Sequence, residues 1–151
     1  MTKEEIQKEK ELLLNVLKDG LPHGLQLQIT DVNEFTFNGE LRVLSKNWCR
    51  LNIANPVKRG KVKNQTIPLN YIYIKPYLRS MSNMTEEEKK EYYNLCIEEE
   101  REELEFGEWV TRVYYHNTIE SIDWLNKNHF DYRGLIEKGL AIDATNLNIY
   151  G

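Results

Sequence analysis

The sequence predicts an α+β fold: a small, bent antiparallel sheet, barrel-like in outline, with an N-terminal helix and C-terminal helices. Two observations lead to this class. Helix-capping patterns occur near residues 2, 85 and 117, and apolar residues alternate with polar ones between residues 25 and 74. The length of 151 residues with 40% hydrophobic side chains suits one domain with its own core, sheet-rich over 1–80 and helix-rich over 81–151.

The first predicted element is a helix over residues 3–18. Thr2 and Glu5 have the spacing of a capping box, in which each side chain bonds the other's backbone N–H. Apolar residues follow at helical spacing, and the pair Asp19-Gly20 ends the run.

Residues 24–75 are predicted to form the sheet. The pairs Phe35/Phe37 and Leu41/Val43 flank Asn38-Gly39, a dipeptide that favours the type I′ turn, so we expect a hairpin tip there. Further strands are expected over 49–53 and 67–74, joined by a turn at 58–61. Pro68 is expected at an edge strand or a strand terminus, and Pro76 is expected to end the sheet.

The remainder is predicted to be mostly helical. Thr85 and Glu88 form a second capping box, which opens a helix expected over 86–104. Gly107 is a stop, after which residues 110–115 suit a strand or a helical extension, of which the strand is favoured, and Asn117 is expected to cap a third helix. The tail 130–144 is dense in apolar residues but interrupted by glycines, which predicts turns or a short helix packed on the core.

Charge is unevenly distributed along the chain. Residues 41–80 carry nine Lys or Arg and no acid, whereas residues 81–105 carry ten acidic and three basic side chains. Either the basic block forms a surface for an anionic partner, or the acidic helix covers or neutralises the basic sheet within the same molecule. The anion or nucleic-acid hypothesis rests on Lys58, Arg59, Lys61, Lys63, Tyr71 and Tyr73, and the protein-binding hypothesis on Glu98, Glu99 and Glu102.

Catalytic signals are weak. His129, Asp131 and Arg133 form a candidate functional cluster, since a His beside a carboxylate can transfer protons and an Arg can hold a phosphate. The alternative is structural: Asp131 pairs with Arg133 or caps a turn. The scattered histidines and cysteines predict neither a metal site nor a cofactor. The absence of a signal peptide or of a long apolar run predicts a cytoplasmic protein that does not bind membranes.

Three segments carry a resemblance. Residues 74–88 (IKPYLRSMSNMTEEE), 123–136 (DWLNKNHFDYRGLI) and 21–25 (LPHGL) resemble an uncharacterised family of small proteins encoded by phages and prophages of gut bacteria. The resemblance implies a phage setting, with a bacterial host cell as location, and no catalytic residues. The leading hypothesis is therefore a non-enzymatic accessory or regulatory module that binds a host or phage protein. A nucleic-acid-binding module using residues 41–80 is the alternative, and a small enzyme comes third.

Overall fold

The computed structural model describes residues 2–30, 33–54, 62–69 and 73–150, and of residues 54 and 62–64 it describes the backbone only. It shows an α+β fold in which one helix precedes a sheet and two helices follow it. The helices are α1 (Lys3–Gly20), α2 (Glu86–Leu95) and α3 (Ile119–Lys127). The strands are β1 (Gln26–Thr30), β2 (Thr36–Leu44), β3 (Trp48–Ala54), β4 (Val62–Pro68), β5 (Tyr73–Leu78), β6 (Ile97–Glu103), β7 (Trp109–Tyr115) and β8 (Ile142–Asp143).

The main sheet has the strand order β4-β3-β2-β1-β5-β8, and β6 and β7 form a separate two-stranded sheet. All neighbours in the main sheet are antiparallel except β5 and β8, which pair in parallel at Tyr77 and Leu78. The main sheet has two ends, β4 and β8, so it is open and does not close into a barrel.

The core lies between one face of the main sheet, α1 and the C-terminal tail. Alternate residues of the strands point into it, as the period of two in a strand requires. Its fully buried large side chains include Leu17, Leu25, Leu27, Ile29, Leu41, Leu51, Ile67 and Leu135. A second, smaller cluster of Met84, Leu125 and Phe130 joins the tail to α2 and α3 through flanking aromatic residues.

The predicted helix starts are largely confirmed. Thr2 and Glu5 form a full capping box for α1, and Thr85 and Glu88 form another for α2. The third helix begins one residue later than predicted, because the capping side chain is that of Thr118 rather than that of Asn117.

The predicted hairpin tip at Asn38-Gly39 is wrong. Gly39 lies in the middle of β2, opposite Leu27, and the chain between β1 and β2 turns instead between Thr30 and Thr36. A β-carbon on Gly39 would lie 3.1 Å from the Asn52 carbonyl oxygen. Glycine is therefore found here because β3 approaches closely, and not because a turn needs a positive φ.

The predicted strand over 67–74 is also wrong. Pro68 ends β4, and β5 begins at Tyr73, so the sequence there contributes to two strands. Pro76 does not end the sheet either: it lies buried within β5 opposite Leu27. Proline has no backbone N–H to donate to a neighbouring strand. Because β8 pairs with β5 only from Tyr77 onward, β5 has a neighbouring strand on one side only at Pro76, and the sheet tolerates the proline there.

The predicted helix over 86–104 is correct only in its first half. The helix α2 ends at Leu95, and the glutamate-rich residues that follow form β6, which pairs along its full length with β7. The strand predicted over 110–115 is confirmed as β7.

The tail packs onto the core as predicted. Phe130, Leu135, Ala141 and Ala144 are buried, and the chain runs mostly through turns. The tail is fastened at its end by Tyr150, whose hydroxyl accepts a 2.9 Å bond from the Gln26 N–H and donates a 2.7 Å bond to the Tyr77 carbonyl.

Candidate functional site

The most exposed secondary structure is the hairpin of β6 and β7, residues 97–115. Its strands pair in register from Ile97 opposite Tyr115 to Glu103 opposite Trp109. The turn is tight because Phe106 and Gly107 both adopt positive φ, at 67° and 74°. A backbone bond of 2.6 Å from the Leu104 N–H to the Glu108 carbonyl closes it.

The hairpin is fastened to the body at its base. The His116 N–H donates to the Cys96 carbonyl at 3.1 Å, and the Thr118 hydroxyl donates to the Leu95 carbonyl at 2.6 Å. Neither strand packs extensively on the main sheet, and nearly every hairpin side chain is exposed, including Phe106 at 98%. A two-stranded hairpin with two exposed faces buries little apolar surface of its own, so this extension is not explained by core packing.

Directly opposed residues share a face in an antiparallel pair, so the register defines two faces. The glutamate face carries Glu98, Glu100, Glu102, Val110, Arg112 and Tyr114. The tryptophan face carries Ile97, Glu99, Arg101, Glu103, Trp109, Thr111, Val113 and Tyr115. On the tryptophan face the Arg101 guanidinium lies 5.3 Å from the centre of the Trp109 ring.

An open pocket of about 360 Å³ lies at the base of the glutamate face. It is lined by Glu98, Glu100, Tyr114, Tyr115 and His116. Two carboxylates beside aromatic rings suit a Lys or Arg side chain, since the carboxylates attract the cation and the ring faces add cation–π attraction. We call this the acidic pocket.

The hairpin is strongly acidic, and the ion pairs seen for it among the described residues are formed within it or at its base. Residues 97–115 contain seven acidic and two basic side chains, a net charge of −5. The ion pairs found here are internal: Glu102 with Arg112 at 2.9 Å, and Glu98 with His116, which counts as an ion pair when His116 is protonated. Within the described ranges, no ion pair joins the hairpin to residues 41–80. The acidic segment meets the basic block in α2 instead, where Glu88 pairs with Arg79 at 2.8 Å, and Lys58, Arg59 and Lys61 lie outside the described residues.

The predicted protein-binding residues lie on this hairpin, though on a strand and not on a helix. Glu98 and Glu102 share the glutamate face, whereas Glu99 points to the opposite side. Sequence reasoning missed Glu100, Tyr114 and His116. The signal that could have found them is the β-rich run WVTRVYY at 109–115, which needs a strand partner.

The structure describes two of the six predicted anion-binding residues, Lys63 and Tyr73. Lys58, Arg59, Lys61 and Tyr71 lie outside the described residues, and Lys63 is seen only as backbone of β4, opposite Ile53. Tyr73 is 77% exposed on the solvent face of the main sheet, and Lys75 follows on the same face. On that face of β3, Arg50 lies 5.7 Å from the centre of the Trp48 ring.

The residues of the His129 cluster each have a structural partner or environment of their own. Asp131 accepts bonds from the Leu135 and Ile136 N–H groups at 2.8 and 2.9 Å, and Arg133 pairs with Asp19. The His129 ring stacks on Tyr150 with centres 3.7 Å apart.

Burial lowers the pKa of His129 to about 4, with smaller contributions from His23 and Arg79, so the ring is neutral at pH 7. Its Nδ1 is buried without a bonding partner in the structure. The cavity beside it has a volume of about 10 Å³, close to the size needed for a single water molecule. The contacts of the three residues therefore hold the tail to the rest of the fold.

The two thiols do not form a reactive site. Cys49 and Cys96 are both buried and free, and burial raises the pKa of Cys49 to about 11, which disfavours the thiolate. Across the described ranges, no group of three His, Cys, Asp or Glu side chains is arranged to hold a metal ion. The helices seen in those ranges are too short or too polar to cross a bilayer.

Comparison with protein-family models, curated proteins and solved structures gives no match to this chain.

Proposed function

We propose that this chain is a non-enzymatic module that binds a basic segment of a host or phage protein through the acidic pocket of its hairpin. The observation that carries the proposal is an exposed hairpin of net charge −5 whose carboxylates and tyrosines line a shallow, open pocket. The resemblance of residues 74–88 and 123–136 to phage proteins supports a phage origin, and hence a partner in the infected cell.

Recognition would begin with long-range attraction. An acidic extension standing away from the body attracts basic surfaces and raises the association rate. Glu100 carries no ion pair among the described residues, so its carboxylate is available to an incoming guanidinium or ammonium group. The Tyr114 ring next to it offers an apolar surface on which the alkyl stem of a Lys or Arg can pack.

The test is capture of the partner by a photo-crosslinking amino acid at position 114 in host cells, followed by titration of the purified partner. We expect E98Q/E100Q to weaken binding about tenfold, because an exposed ion pair is worth up to about 1 kcal/mol and two are lost. The matched control is E99Q/E103Q, which removes the same charge from the opposite face of the same strand. Equal binding by E98Q/E100Q and the wild type would refute the proposal.

A second candidate function is nucleic-acid binding by the solvent face of the main sheet. Tyr73 is 77% exposed, and Lys75 shares its face, an arrangement suited to stacking on a base beside a phosphate contact. On this hypothesis, nuclease treatment abolishes capture, and replacing Lys58, Arg59, Lys61 and Lys63 by Gln weakens binding similarly for all sequences. On the protein-binding hypothesis, capture survives both treatments.

A further inference from the structure

The outer edge of β7 is a row of backbone groups that no strand occupies. Two backbone hydrogen bonds show which residues of β6 and β7 bond to each other: the Leu104 N–H donates to the Glu108 carbonyl, and the His116 N–H donates to the Cys96 carbonyl. In an antiparallel pair, every second residue bonds inward and the residues between point their N–H and C=O groups outward. On β7 the outward residues are Trp109, Thr111, Val113 and Tyr115, and within the described residues no second strand pairs with them.

We propose that β7 of one copy pairs antiparallel with β7 of a second copy, giving a four-stranded sheet with the order β6-β7-β7-β6. Only one two-fold register uses all four outward residues. It places Arg112 on the axis and sets Trp109 opposite Tyr115 of the second copy and Thr111 opposite Val113 of the second copy. Each opposed pair exchanges two backbone bonds, so this register forms about eight.

The side chains of the outward residues complement one another in this register. The two Arg112 side chains on the axis are like charges placed opposite each other, and the ion pair of each with Glu102 of its own chain offsets their repulsion. Trp109 is 58% exposed, Val113 46% and Tyr115 68%, which is unusual for large apolar side chains and leaves them free to be covered. The pairing would place an aromatic ring beside an aromatic ring twice, and a β-branched residue beside a β-branched residue twice. Both are favourable cross-strand pairs.

Charge favours β7 over β6 as the joining strand. Five of the seven β6 residues are glutamates, and charged side chains on an edge strand oppose pairing with another strand. The strand β7 has no acid, and its Arg112 is paired with Glu102 of the same chain. In the proposed sheet the two β6 strands are three strand spacings apart, about 14 Å, beyond the screening length of about 8 Å at physiological salt.

The dimer does not depend on the proposed function. It uses the backbone edge of β7, whereas the carboxylates of the acidic pocket lie on the glutamate face. The two share Tyr115, which lines the pocket and would pair with Trp109 of the second copy. A dimer would present two acidic pockets, which a partner with two basic segments could engage together with an avidity above that of one site.

Sedimentation of the wild-type chain over a wide concentration range tests the dimer. We expect a dimer that dissociates on dilution, because the interface is small. The variant V113K should be monomeric at all concentrations, since it places a lysine at the joining edge. It should stay folded because the introduced lysine would lie opposite Glu99 of its own hairpin. A wild-type chain that is monomeric throughout, or a V113K chain that dimerises equally, would overturn the proposal.

Cysteine crosslinking tests the register. Arg112 would face its own copy across the axis with Cα atoms about 4.5 Å apart, within the range a disulfide can span. The variant R112C should therefore form a disulfide-linked dimer under oxidised glutathione. The control V110C lies on the same face but two residues from the axis, so its thiols stay too far apart to bond. The buried Cys49 and Cys96 should give no such product in the wild type. Crosslinking of V110C as fast as R112C would refute this register.

Discussion

Adding a single methyl group at Gly39 tests how closely β3 packs against β2. A β-carbon built there lies 3.1 Å from the Asn52 carbonyl oxygen, 3.1 Å from Leu51 Cβ and 3.2 Å from Ile53 Cγ1. Carbon atoms attract one another best at about 3.5 to 4.0 Å, so the two carbon contacts are repulsive, and the contact with the carbonyl oxygen is also tighter than an ordinary van der Waals contact. The backbone of β3 supplies one of them, and it can move only by spreading the ladder between β2 and β3.

Two terms decide the outcome for Gly39→Ala. Replacing glycine reduces the freedom of the unfolded chain and stabilises the fold by about 0.4 to 1 kcal/mol. Overpacking a tight interior costs about 1 to 3 kcal/mol, and more for the larger side chain. We expect Gly39→Ala to lower the free energy of unfolding by about 1 kcal/mol and Gly39→Val by about 2 to 3 kcal/mol. For a chain of this size the Val variant should melt about 4 to 12 °C lower.

Denaturant unfolding followed by circular dichroism measures both variants. The control is Thr36→Val, an exposed position on the solvent side of the same strand, which should change stability by less than about 0.5 kcal/mol. Gly39→Asn distinguishes the strand from a turn, since type I′ turns favour Asn whereas a crowded strand interior does not. A Gly39→Ala chain as stable as the wild type would refute the argument from close approach.

The other predictions concern the C-terminal tail. The pKa of His129 is about 4 in the folded chain and near 6.5 in the unfolded chain, so the imidazole is protonated first in the unfolded chain as the pH falls. The free energy of unfolding should therefore fall by about 3 kcal/mol as the pH drops from 6.5 through 4. The variant H129N, which suits the positive φ of 61° at this position, should flatten that pH dependence in urea titrations; an unchanged slope would count against His129. Tyr150→Phe removes both hydroxyl bonds, to Gln26 and Tyr77, and should cost about 2 kcal/mol, whereas no change in melting temperature would show that the bonds contribute nothing net. Truncation after Lys127 removes buried apolar residues and should abolish native circular dichroism; a truncated chain with a native spectrum would contradict the assignment of the tail to the core.

Local signals predicted the helix starts well because a capping box is a short-range interaction. Thr2 bonds Glu5 whatever the rest of the chain does, and Thr85 bonds Glu88 in the same way. The α+β class followed from these caps and from the alternation in β1, which needs no knowledge of a partner strand.

Pairing between distant segments was the part that the sequence could not reveal. Residues 98–103 are rich in glutamate, a good helix former, yet they form a strand because the run at 109–115 offers β-branched and aromatic partners. Asn38-Gly39 fits a turn locally, but tertiary contact with β3 places it within a strand. The acidic pocket was missed for the same reason, since it exists only when Glu98 and Tyr114 are set opposite each other.

The base of the hairpin has a consequence for how this protein can vary. Residues 96 and 116 are joined by a backbone bond, so the chain leaves the body and returns to it at one point. Everything between them is an insert whose removal would leave two neighbouring ends to be joined by a short turn. Substitutions in the insert should therefore change the stability of the core little, and substitutions in the core should leave the conformation of the insert unchanged. If the hairpin binds the partner as we propose, recognition and folding are encoded in separate stretches of the chain, and exchanging the hairpin should leave the core folded.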